Sequence, residues 1–280
     1  MRHRAAAFIL AVLSAVPALA QSSAEESWNG LPDHFQVDTG YFRLSADSIL
    51  RFNGGPGAND IDFERDLALD ERVDTFWVDG TWRLGRRHQL KLSYTRLQRE
   101  RDSHTLERDF VWGGQTFNSG LTANGTSGID VLGGYYRFAA YRNDRFEIGP
   151  TIGIGYLWVS AGIEATGTVT GPGGQPISRS LDVSATKGSI TGAVGAYVTA
   201  WPARRLVLRS DFLYIKVTPE NAEASVTDWR VGGNFYFLRN VGVGAQYKYN
   251  QYRYDRDILS SDLGGEITLD GFQVFVSFLF

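Results

Sequence analysis

The chain has 280 residues, no cysteine, 21% charged residues and a formal net charge of −3. Without cysteine it cannot be a small domain stapled by disulfides, so hydrogen bonding and packing must hold it together. The mildly acidic balance offers no electrostatic footprint for nucleic acid, which is excluded as a partner class.

The first segment, "MRHRAAAFILAVLSAVPALAQ", places Arg2 and Arg4 before an apolar stretch and closes with Ala18-Leu19-Ala20. That is the order of a secretory signal peptide, and its apolar part is too short to cross a bilayer as a helix. Residues 1–20 are therefore set aside from the fold. What remains carries 26 basic and 31 acidic residues, a formal charge of −5. No later segment has 18 consecutive apolar residues, so no transmembrane helix is expected.

From residue 40 to residue 280 the chain alternates with a period of two, and two kinds of connection break it. Short ones are basic or amide-rich: "GRRH" at 85–88, "YRNDR" at 141–145, "WPARR" at 201–205 and "LRN" at 238–240. Long ones are polar and Gly-rich, near 54–73, 100–127, 164–186, 217–225 and 254–265. The two kinds take turns strictly, as the short periplasmic turns and long outer loops of a transmembrane barrel do. Ten strands follow, near 40–53, 74–84, 89–99, 128–140, 146–162, 187–200, 206–216, 226–237, 241–253 and 266–280, with the fifth projecting beyond the membrane. Both ends then fall on the short-turn side, and 21–39 reads as a periplasmic lead. The fold class is all-β, a ten-stranded antiparallel barrel, with eight or twelve strands as alternatives. Twelve would follow if the second long loop sent a hairpin of its own into the membrane.

Side-chain alternation assigns faces strand by strand. In "YFRLSADSILRFN", Phe42, Leu44, Ala46, Leu50 and Phe52 are expected on lipid, with Arg43, Asp47 and Arg51 inside. In "LVLRSDFLYIK", Leu206, Leu208, Phe212 and Tyr214 oppose Arg209 and Asp211. In "VGVGAQYKYN", Val241, Val243, Ala245, Tyr247 and Tyr249 oppose Gln246, Lys248 and Asn250. The fourth strand fixes no phase: Arg137 pointing inward puts Leu132, Tyr136 and Phe138 on lipid but leaves Asp130 outside. Aromatics gather at both strand ends, Trp82, Phe138, Phe146, Trp201, Phe237 and Phe278 near the short turns, and Phe52, Trp158, Tyr214, Trp229 and Tyr249 near the long loops. Two such belts match the interfacial preference of amphipathic rings.

The chain ends in "DGFQVFVSFLF", with Phe272, Val274, Val276, Phe278 and Phe280 on one face. Signal peptide, alternating strands, Arg-rich short turns and this terminal strand resemble the outer-membrane β-barrel proteins of Gram-negative bacteria, the broad class of OmpA-, OmpX- and OmpW-like barrels. The resemblance spans residues 40–280 and is one of architecture. It implies an outer-membrane location, contact with lipid and lipopolysaccharide, and recognition by the barrel-assembly machinery, which in that class reads a C-terminal aromatic with alternate apolar residues. Val274, Val276, Phe278 and Phe280 match that signal. A monomer is expected, although the sequence fixes no oligomeric state.

Three constellations carry potential chemistry. Asp102-x-His104 and Asp60-x-Asp62 resemble the paired Asp-x-His and Asp-x-Asp of omptin-like proteases, but they lack the surrounding motifs, and solvated loop residues are the expected reading. Asp60, Asp62, Glu64 and Asp66 would line one face of an extended loop, a set of hard oxygens suited to a divalent cation. Arg65 stands where an EF-hand needs glycine, so a solvated acidic rim is expected instead. The third set lies in the lumen: Arg43, Asp47, Arg51, Asp79, Arg83, Lys91, Glu147, Arg209, Asp211, Arg230 and Lys248. An unpaired charge buried there is costly, which favours a paired plug over a water-filled path for anions. Asp211 is expected to seek Lys248 or Arg230, and Arg209 to seek Glu147 or Asp79. The expected function is a structural or surface-interaction barrel, not an enzyme and without cofactor. A narrow channel for small anionic solutes is the alternative, and a loop-borne hydrolase the third reading.

Overall fold

The computed structural model describes residues 34–52, 61–62, 72–106, 109–112, 115–170, 176–217, 223–258 and 261–280. Ten long strands form the wall: β1 (Phe35–Phe52), β2 (Arg72–Arg83), β3 (His88–Thr105), β4 (Thr122–Phe138), β5 (Phe146–Thr170), β6 (Pro176–Ala203), β7 (Leu206–Val217), β8 (Glu223–Tyr236), β9 (Val241–Ile258) and β10 (Ser261–Leu279). Each pairs antiparallel with the next. β10 returns to β1 in continuous register from Gln36↔Leu279 to Phe52↔Leu263, so the sheet closes into a barrel.

The seam reaches the last residue. Phe280 donates its backbone N–H to the Phe35 carbonyl at 2.8 Å, and Phe35 returns a bond to the Phe280 carbonyl at 3.1 Å. Their rings lie 6.3 Å apart.

Several boundaries differ from the sequence reading. β1 begins at Phe35 rather than residue 40. β5 and β6 stay paired as far as Thr170↔Pro176, through most of the stretch read as a loop at 164–186. β9 and β10 likewise pair to Ile258↔Ser261, across the stretch read as a loop at 254–265. In the second long connection, Phe110–Trp112 and Gln115–Phe117 form a hairpin that is a separate two-stranded sheet, so it adds nothing to the wall and the count stays at ten. Residues 1–33, including the expected signal peptide, lie outside the described residues.

Polarity is arranged in two regimes along the barrel axis. Near the short turns the outward face is apolar and well exposed, as at Phe272 (75%), Ile154 (71%) and Ile190 (71%), while Glu147, Lys248 and Gln273 are buried inside. Further along each strand the order reverses. Leu44 and Ala46 point inward while Ser45 and Asp47 are exposed; Leu97 is buried between exposed Arg96 and Gln98; Ile129 is buried beside outward-facing Asp130. The first regime is what a wall in lipid requires, and the second is the ordinary arrangement of a wall in water.

That reversal corrects the face assigned to β1. Leu44 and Ala46, expected on lipid, are 2% and 4% exposed and join an internal apolar cluster with Val73, Trp77, Leu97 and Ile129. Asp47, expected in the lumen, is exposed. The side chains of Phe42, Arg43, Leu50, Arg51 and Phe52 lie outside the described residues. Trp201 is also corrected: it is 4% exposed and packs inside with Val207 and Tyr236 instead of joining the outer belt. Trp82 and Phe237 near the short turns, and Trp158, Trp229 and Tyr214 at the other level, do face outward. On β4 the phase left open by the sequence resolves: Arg137 is inward, and outward Asp130 sits opposite Arg96 in register, 3.7 Å from its Nε. With neighbouring positions on β1 opposed, Asp47→Cys in the folded protein should react with a small thiol reagent, and Ala46→Cys should react only after unfolding. Equal reactivity at both positions would contradict the assigned face.

Candidate functional site

The lumen holds the densest chemistry among the described residues. Period two places the charges there: Asp79 and Arg83 on β2, Lys91 on β3, Arg137 on β4, Glu147 on β5, Arg209 and Asp211 on β7, Asp228 and Arg230 on β8, and Lys248 on β9. Asp38 enters from β1 because that strand starts before residue 40.

Glu147 is the first hub. It is fully buried, meets Arg83 at 3.0 and 3.4 Å and Arg142 at 3.4 Å, and accepts from Tyr197 Oη at 2.7 Å and from the Gln89 side chain. A carboxylate with so many donors has its lone pairs satisfied without water. The Arg137 guanidinium lies 5.0 Å above the Tyr197 ring, a cation–π contact that ties this hub to the next.

The second hub runs through Asp211, Lys91, Asp79 and Arg230. Arg137 Nη2 meets Asp211 at 2.7 Å and Lys91 Nζ meets it at 3.4 Å. Lys91 also reaches Asp79 at 2.8 Å, which Arg230 meets at 3.0 Å while bonding Asp228 at 2.9 Å. Ser93 donates to Asp79 at 2.6 Å, and Lys248 lies 3.8 Å from Asp228. To one side, Arg209 pairs with Asp38 at 2.8 Å, and Gln36 and Ser277 donate to the same carboxylate.

Of the eleven lumen residues named from sequence, eight therefore come together inside: Asp79, Arg83, Lys91, Glu147, Arg209, Asp211, Arg230 and Lys248. The expected partners are corrected. Asp211 takes Arg137 and Lys91, not Lys248 or Arg230, and Arg209 takes Asp38, not Glu147 or Asp79. The reason is reach: Arg230 is the register partner of Asp211 on the adjacent strand, yet its guanidinium turns along its own strand to Asp228 and across the lumen to Asp79. Sequence reasoning missed Asp38, Arg99 and Asp228 as interior charges. Asp228 was within its grasp, two residues before Arg230 on the same face.

Apolar clusters lie beside the network at two levels of the lumen. On the long-loop side stand Trp77 and Phe275, packed edge to face at 5.6 Å, with Leu44, Val73, Leu97, Ile129 and Leu269. Gly40 and Gly244 flank Phe275 on the neighbouring strands, and a Cβ at either would collide with it, so the glycines make room for the ring. On the short-turn side Trp201, Val207 and Tyr236 cluster. Among the described residues, the network is flanked by a cavity of about 20 Å³ beside Arg230 and Lys248 and by one of about 30 Å³ beside Arg209 and Asp211. Each is the size of about one water molecule. Above the apolar layer, Arg99 donates to Ser48 at 2.6 Å.

The other two constellations are only partly visible. Asp62 pairs through its backbone with β1 at Ile49, while Asp60, Glu64 and Asp66 lie outside the described residues. His104 is half-buried on β3 with Nε2 unpartnered, and the side chain of Asp102 lies outside the described residues. In the terminal strand Val274 and Phe272 face outward, with Val276 and Phe278 on the same side and Gln273, Phe275 and Ser277 buried on the other.

No protein-family model matches the sequence, and no curated protein does. Solved structures do match in fold. The outer membrane protease OmpT of Escherichia coli is similar over 89% of this chain and 97% of its own, with a TM-score of 0.52 and 9% identity. The translocator domain of the autotransporter NalP from Neisseria meningitidis aligns over 99% of this chain and 96% of its own, with a TM-score of 0.46 and 12% identity. The attachment invasion locus protein Ail of Yersinia pestis aligns over 87% and 99%, with a TM-score of 0.33 and 13% identity. The chain thus has the closed-barrel fold of the outer-membrane proteins, and at such identity the likeness to OmpT extends to the fold alone.

Glu147 offers the sharpest test of the network. Glu147→Ala leaves Arg83 and its neighbours buried without a counter-charge, and should lower unfolding stability by about 3–5 kcal/mol in denaturant titrations. Asp47→Ala, on the exposed face, should change it by less than about 0.5 kcal/mol. Comparable effects of the two substitutions would contradict the pairing.

Proposed function

We propose that the protein resides in the outer membrane as a non-conducting barrel with a structural or surface-interaction role. The observation that supports this reading is the ion-pair network that crosses the lumen, beside which the cavities at Arg230 and Lys248 and at Arg209 and Asp211 have room for about one water each. A ten-stranded barrel is only slightly wider than the size that side chains can fill, so a plug is within its means. Conduction would require ions to pass through the Arg137–Asp211–Lys91 cluster without replacing the bonds that hold it.

The activity is assigned to the part that projects beyond the apolar band. On β5 the last large outward apolar residue is Trp158, and the strand continues to Thr170, about 40 Å of further chain. This projection has a small core of its own in Leu106, Leu121, Ala123, Ile163 and Ala165, all at most 2% exposed. A backbone bond from Leu106 to Leu121 at 2.9 Å fixes its base, and the Phe110–Phe117 hairpin extends from there. An ordered projection of this kind can present a surface to lipopolysaccharide or to an external partner. In the same reading, Val274, Val276, Phe278 and Phe280 serve the assembly machinery as the recognised terminal strand.

Purified protein in planar bilayers should show no steady conductance. A stable, anion-selective current would replace this proposal with the narrow channel.

A further inference from the structure

The four short turns carry seven arginines, Arg86, Arg87, Arg142, Arg145, Arg204, Arg205 and Arg239, against a single acid, Asp144. Arg142 is engaged with Glu147. Arg204 and Arg239, by contrast, are exposed and have no ion-pair partner among the described residues. Close above these two turns the outer wall is indented. A groove of about 720 Å³ is lined by Tyr41, Leu206, Phe235, Val243, Ala245 and Val274, with Gly233 in its floor.

Register explains the indentation. Leu206, Phe235, Val243 and Val276 form one outward row across β7, β8, β9 and β10. The next row is Leu208, Gly233, Ala245 and Val274, whose two central members are the smallest side chains. Leu206 lies two residues beyond Arg204, and Val243 lies four residues beyond Arg239. An apolar furrow therefore ends at the exposed arginines Arg204 and Arg239.

We propose that this furrow and the arginines beneath it bind one anionic phospholipid of the inner leaflet. One acyl chain lies along Gly233 and Ala245, and the phosphate lies against Arg204 and Arg239. The inference rests on the outer-membrane placement proposed above, since the short turns of such barrels face the periplasm. Guanidinium groups suit a phosphate through bidentate hydrogen bonds, and basic residues at a bilayer surface favour anionic headgroups.

The test reconstitutes the full chain into nanodiscs of equal parts phosphatidylethanolamine and phosphatidylglycerol, then reads retained lipid by native mass spectrometry. Wild type should retain phosphatidylglycerol selectively. The preference should fall on the order of fivefold for each arginine removed in Arg204→Gln and Arg239→Gln. Ala245→Phe, which fills the furrow, should lose the bound lipid while still migrating as a folded, heat-modifiable barrel. Insertion without lipid preference, or a preference that survives both arginine substitutions, would overturn the lipid site alone. Efficient crosslinking of Ala245→Cys between two barrels, with no lipid retained, would assign the furrow to a second copy and also overturn it. Failure to insert at all would overturn the membrane placement together with the site.

Discussion

A charge inside a wall whose other side is lipid can be solvated only from within the barrel, and the rest of this molecule follows from that constraint. The wall must turn its apolar side chains outward, so the polar ones are forced in, and they are stable there only when each finds a partner of opposite sign. Glu147 meets this with Arg83, Arg142, Gln89 and Tyr197, and Asp211 with Arg137 and Lys91. The bonds of Arg83 and Gln89 to Glu147, and of Arg137 and Lys91 to Asp211, span the lumen and link strands that are not neighbours in the sheet. They therefore fix the cross-section of the barrel as well as filling it.

The constraint ends where the lipid ends. Beyond that level water again lies outside, and Leu44, Leu97, Ile129 and Leu269 turn inward while Asp47, Arg96 and Asp130 turn outward. One closed sheet thus has an inverted core over part of its length and an ordinary hydrophobic core over the rest. The ordinary core lies on the long-loop side of the inverted one and includes the Trp77–Phe275 ring pair. It also gives the projecting strands β5 and β6 a stable base.

Much of this was legible in the sequence because alternation is unambiguous wherever only one face meets lipid. The terminal strand, the β7 face of Arg209 and Asp211, and the β9 face of Lys248 read correctly from period two alone. The ten-strand count followed from the alternation of short and long connections. Where the regime changes within a strand, the same reasoning failed. In β1 alternation alone puts the apolar run around Leu44 and Ala46 on lipid, whereas where water lies outside such a run marks a core. Polar stretches were read as loops for the same reason, since a strand in water has no need of an apolar outer face: 164–170 and 176–186 are paired strand. Ion-pair partners were out of reach because sequence fixes a side chain's face, not how far a guanidinium turns. Arg230 sits beside Asp211 in register and bonds Asp79 and Asp228 instead.

The claim that pairing, and not charge as such, stabilises the interior is tested most directly by a double-mutant cycle on Asp38 and Arg209, which meet at 2.8 Å. Unfolding free energies would be measured for Asp38→Leu, Arg209→Met and the double variant. Asp38→Leu strands the half-buried Arg209 guanidinium and is predicted to cost less than Arg209→Met, which strands the buried Asp38 carboxylate at about 3–5 kcal/mol, while the double variant, which removes both, is predicted to lie close to wild type. Strictly additive losses would show that the two groups do not depend on each other, and would contradict the account.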